Sequence, residues 1–120
     1  MFRIELDADA KLVRITVAGF WEPQDVPVFA KAVGARAQEA RAAGDDFNVL
    51  IESLDFPVQS NEVADLLASV MAGGAALTSG WIAVVVGSQL NKLQAERTLL
   101  HPRLRVFLSI AEARDWLDTR

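Results

Sequence analysis

The sequence predicts one α/β domain over residues 1–120, with elements in the order ββαβαβαβα and a mixed sheet whose parallel core follows an N-terminal antiparallel hairpin. Three observations carry this reading. Phe2-Arg3-Ile4-Glu5-Leu6 and the run from Leu12 to Ala18 alternate apolar with polar residues on either side of Asp7-Ala8-Asp9-Ala10, the pattern of a hairpin. Trp81-Ile82-Ala83-Val84-Val85-Val86 is apolar on both sides, as a strand near the middle of a parallel sheet must be. Between Phe47 and Gly74 the period changes across one loop, Ser53 to Ser60. Before it stands the apolar run Val49-Leu50-Ile51; after it Val63, Leu66, Leu67, Val70 and Met71 recur at helical spacing.

The remaining elements follow in chain order. Gly19-Phe20-Trp21-Glu22-Pro23 ends the second strand, and Pro23, Gln24 and Asp25 suit a helix entrance. Val26, Phe29, Ala30, Val33, Ala37 and Ala40 then share one face of a helix that runs to about Ala43, with Gly44 as a left-handed stop. Ser88 caps a third helix, Gln89 to Leu100, whose apolar positions Leu90, Leu93 and Leu100 are sparse, so it is expected to be the most exposed. Pro102 stops it. Leu104 to Leu108, with Arg103 and Arg105, reads as an edge strand blunted by charge. Ser109-Ile110-Ala111-Glu112 is a capping box, opening a last helix that buries Ile110, Ala113, Trp116 and Leu117.

Composition narrows the function classes. A chain that is 52% hydrophobic and 23% charged can build a core without disulfides or metal. With no Cys and one histidine, His101, it offers no thiolate nucleophile, no Cys/His metal set and no triad, so the expectation is a noncatalytic protein without a cofactor. A net charge of −4 repels a phosphate backbone, which argues against nucleic acid as a partner. Leu66 to Asn91 spans 26 positions without a charge, long enough for a bilayer. Its glycines and hydroxyls, and the switch to a β-branched run at Ile82, argue against a membrane helix. The N-terminus lacks the pattern of a secretory signal, and the expected location is the cytoplasm.

The candidate site is the loop after the central strand. In an open α/β sheet ligands sit at the carboxyl ends of the strands, which places Trp21, Asp55, Pro57 and Ser60 at one pole. Trp21 is expected there as a partly exposed indole, suited to an apolar ligand or a partner surface. Ser60 fits an N-cap of the central helix. Trp81 is expected at the opposite end of the sheet.

The hairpin, the Gly19-Phe20-Trp21 turn with Pro23, the Leu54-Asp55-Phe56-Pro57 loop and the terminal Val106-Phe107, Ala113 and Trp116-Leu117 together resemble the SpoIIAA-like family, STAS-like domains related to anti-sigma-factor antagonists. The resemblance covers nearly the whole chain. It implies a β-α superhelix, also similar to the CRAL-TRIO lipid-transfer fold, with no metal or nucleotide. Such antagonists are switched by phosphorylation of a Ser in an Asp-Ser-Ser-Gly turn. Here the matching place reads Val58-Gln59-Ser60-Asn61-Glu62, with Ser60 as the candidate acceptor, Gln59 where an Asp would precede it, and no Gly. The function expected from this is a protein-interaction domain regulated through Ser60, able to homodimerise through a sheet face or the first strand's edge. The alternative is a module for a small apolar ligand or lipid.

Overall fold

A computed structural model describes residues 1–43 and 46–120. The expected element order is observed: β1 (Phe2–Asp7), β2 (Leu12–Ala18), α1 (Asp25–Ala42), β3 (Asn48–Asp55), α2 (Asn61–Ala75), β4 (Ile82–Val86), α3 (Gln89–Thr98), β5 (Leu104–Phe107) and α4 (Ile110–Asp118). The stop assigned to Gly44 lies outside the described residues. Five strands form one sheet in the order β1-β2-β3-β4-β5; β1 runs antiparallel to β2 and every other pair is parallel. Among the described residues no helix is long and apolar enough to cross a membrane.

Alternation along the strands divides the interior into two cores. Val13, Ile15 and Val17 of β2, Val49 and Ile51 of β3, and Ile82, Val84 and Val86 of β4 face α1, α2 and α3. Leu12, Leu50, Ala83, Val85 and Phe107 point the other way, onto Ala113 and Leu117 of α4. Because β4 is apolar on both faces it must be covered twice, and all five of its residues are buried. Strand order never reverses, so right-handed crossovers carry α1, α2 and α3 to the same face, and α4 alone closes the second. Where α4 does not reach, the second face is polar: Arg14 pairs with Glu52 at 3.0 Å across β2 and β3, and Arg3 with Glu5 along β1.

The two poles of the sheet differ. At the amino pole, side chains bind backbone across the connections. Thr78 Oγ1 donates to the Phe47 carbonyl (2.7 Å) and accepts from the Gly80 N–H (3.0 Å), while the Arg103 guanidinium donates to the carbonyls of Ala75 (2.9 Å) and Gly80. Gly80 is required there, since a Cβ would stand 2.0 Å from the Phe47 carbonyl oxygen. Trp81 sits at this pole, edge-on to Trp116 at 5.5 Å, with the Arg120 guanidinium 5.1 Å from its ring.

Asp46 adds a pH-dependent link. The Ser79 hydroxyl and its N–H both donate to this carboxylate, and these bonds, the hydroxyl first, hold its pKa below the ordinary 3.8. A carboxyl whose pKa is depressed by folding stabilises above its unfolded value and loses that contribution as pH falls through the folded one. Asp46→Asn should therefore lower stability slightly at neutral pH, with the difference from wild type closing as pH falls below about 4, as measured by urea melts across that range.

Candidate functional site

Three connections meet at the carboxyl pole: β2 to α1, β3 to α2, and β4 to α3. The first two are tied by the side chain of one residue, whose backbone carbonyl in turn reaches α3, and the sequence does not announce that role. Gln59 is buried, with its Oε1 accepting the Trp21 N–H at 2.8 Å and its Nε2 donating to the carbonyls of Gly19 (3.0 Å) and Pro57 (2.7 Å). Its backbone carbonyl accepts Gln94 Nε2 of α3 at 3.3 Å. Gly19, at φ +82° in the left-handed region that glycine tolerates, turns the chain so that its own N–H reaches the Asp55 carbonyl at 3.0 Å. An amide can donate and accept at once, whereas a carboxylate only accepts. The Gln59 that stands where an Asp would mark a phosphorylation turn is thus a cross-link, and an Asp could not make its bonds to Gly19 and Pro57.

The four residues expected to form a site share this pole but not one surface. Trp21 is buried, at 6% exposure, correcting the expectation of a partly exposed indole. It lies edge-on to Phe29 (5.1 Å) and Phe56 (5.4 Å), tilted against Phe2 (6.1 Å), and donates its indole N–H to the Ala18 carbonyl at 3.0 Å. The reason is geometric: the Gly19 turn folds the chain back under the start of α1. Phe20 points outward instead, 76% exposed. Asp55 is exposed, and its carboxylate meets no donor among the described residues. Pro57 is half-buried beside Gln59. Ser60 is exposed and caps α2, its hydroxyl accepting the Val63 N–H at 3.3 Å.

The loop expected from Ser53 begins later. β3 runs on to Asp55, and Ser53 is buried within it, its hydroxyl donating to the Val85 carbonyl at 2.5 Å. Strand order does not reverse in this sheet, so it lacks the switch point at which a crevice usually opens, yet Phe56, Pro57 and Gln59 of the loop after β3 do line a cavity. The concavity lies beneath the helices. A half-open cavity of about 110 Å3 is bounded by the sheet at Val17, Ile51, Ser53 and Val84, by α2 at Ala64, Leu67 and Met71, and by α3. It exists because α2 is braced laterally by α1 and α3, and because α3 turns an unexpected face inward.

That face is Asn91, Gln94, Ala95 and Thr98, spaced as one helical stripe. The leucines that sequence reading took as the helix's apolar positions point outward, Leu90 at 66% and Leu93 at 63% exposed. Burying each would stabilise by roughly 1.5–3 kcal/mol. Hydrogen bonds set the rotation instead: Asn91 Nδ2 donates to the Phe56 carbonyl at 3.0 Å, and Gln94 Nε2 to the Gln59 carbonyl. Rotating α3 to bury its leucines would leave both carbonyls unpaired. No protein-family model matches this chain, and neither does any curated protein.

Proposed function

We propose that this is a noncatalytic, STAS-like interaction domain with the SpoIIAA-type β-α superhelix, docking a protein partner through its carboxyl pole. The single observation that carries the reading is the outward pair Leu90 and Leu93, apolar side chains held in solvent by the hydrogen bonds of Asn91 and Gln94. Phe20 and Leu54 are likewise exposed at the ends of β2 and β3, on the pole that also carries the exposed Asp55 and Ser60. Ser60 is the point of regulation: a phosphate there would displace a neutral cap with charge, beside the Glu62 carboxylate in the first turn of α2.

Leu90→Ser with Leu93→Ser should leave the melting temperature within about 2 °C of wild type, because exposed positions contribute little to stability. The same pair should release a partner that wild type retains in a cross-linking pull-down from its host cells. Ser60→Asp, which keeps a capping oxygen, should weaken that capture. Identical protein sets bound by all three proteins would sink the reading. A second reading, a module for a small apolar ligand, is favoured by the cavity beneath α2 and α3.

A further inference from the structure

We infer that the cavity takes a small, neutral, largely apolar molecule bearing one hydrogen-bond donor, of the size and chemistry of phenol or a short branched alcohol. This rests on the second reading above and is independent of docking at the outward leucines. Volume sets the size. About 110 Å3 is below the ~150 Å3 of an engineered apolar cavity that binds benzene. It is far short of the ~300 Å3 at which drug-sized pockets begin. Room to grow exists, since a neighbouring space of about 40 Å3 under α1 and α2 shares Phe29, Ile51, Val70 and Met71 with the first as a common wall. Met71, unbranched and with three rotatable bonds, is the movable part of that wall.

Charge sets the class. Among the described residues no Asp, Glu, Lys, Arg or His lines the cavity, so a carboxylate, phosphate or ammonium buried there would lose its water without gaining an opposite charge. The polar atoms that remain set the donor. Asn91 and Gln94 each place their amide nitrogen on a backbone carbonyl, which fixes their orientation, because a carbonyl accepts only from the N–H end. Ser53 gives its hydroxyl hydrogen to the Val85 carbonyl. What these three lining side chains have left are oxygen lone pairs and, on each amide, a second N–H. A ligand bringing one hydroxyl can donate to such a lone pair and accept from such an N–H, and a purely apolar one does neither.

Titration of the isotope-labelled chain with phenol, fluorobenzene and benzoate, followed by NMR, separates the possibilities. Phenol should shift the methyl signals of Ala64, Met71 and Ala95 saturably, with fluorobenzene about tenfold weaker and benzoate without effect up to about 10 mM. Ala64→Leu and Ala95→Leu, which grow into the cavity, should each abolish the phenol shifts while circular dichroism reports an unchanged fold. Fluorobenzene binding as tightly as phenol, or benzoate binding more tightly, would overturn the ligand class and leave a small-molecule site standing. Silence from all three probes on the wild-type chain would overturn the class and the second reading together.

Discussion

Trp21→Ala is expected to cost roughly 3–5 kcal/mol, the largest loss from any single truncation at the carboxyl pole. The indole is 6% exposed and touches three phenylalanine rings, contributed by β1, α1 and the loop after β3. Truncation leaves a hole that these elements cannot all close, and it strips the Ala18 carbonyl of its donor. At about 3–6 °C per kcal/mol for a chain of this length, the melting temperature should fall by more than about 10 °C. Trp21→Phe should recover part of the loss, since it restores ring packing but not the N–H. A melting temperature within about 3 °C of wild type would mean that the aromatic cluster does not hold the pole together. A consequence for binding studies follows: lost partner capture by Trp21→Ala would report unfolding, so Leu90, Leu93 and Phe20 are the positions at which docking is tested.

The second large effect is at Gln59. Gln59→Glu keeps the shape and the acceptor for the Trp21 N–H, but turns a carboxylate oxygen toward the carbonyls of Gly19 and Pro57, now 3.0 and 2.7 Å from a donor. Two hydrogen bonds become two repulsions in a buried place, a loss of roughly 3 kcal/mol at pH 7. The sign with pH is distinctive. Burial beside acceptors raises the folded pKa of the new acid above its unfolded value of about 4.3, so protonation restores a donor and the variant regains stability relative to wild type as pH falls from 7 toward about 5. Gln59→Leu, lacking a titratable group, should show a similar loss that does not change over that range. Parallel denaturation curves for the Glu and Leu variants at both pH values would contradict the cross-link.

How much of this was visible in the amino-acid order depends on which force sets each feature. Hydrophobic period gave away the hairpin and the doubly buried β4, because burial at Ala83 and Val85 is a property of the pattern itself. It left open whether helices cover one face of the sheet or both, and it is α4 that closes the second face. Caps were equally plain at Ser60, Ser88 and Ser109, each of which accepts an N–H three residues on. The rotation of α3 was not, since its leucines suggest one face and two side-chain amides bonded to distant carbonyls enforce another. Trp21 failed for a related reason: the positive φ of Gly19 decides which of two adjacent aromatics goes inward, and a Phe-Trp pair does not reveal that choice. Gln59 carried one signal, an amide flanked by a proline loop and a helix cap, which becomes meaningful only when its partners 38 and 40 residues away are known.

Sequential strand order has a temporal consequence. Each strand from β2 onward pairs with its predecessor, so the sheet can be wound as the chain emerges from the ribosome, one βα unit at a time, without waiting for distant segments. The exception is the second face. Leu50, Ala83, Val85 and Phe107 are in place before Ala113 and Leu117 have left the exit tunnel, and during that interval a nearly complete domain displays an oily flank to its neighbours. The capping Ser109 and the nine residues of α4 behind it therefore cover that flank only after the five strands are wound.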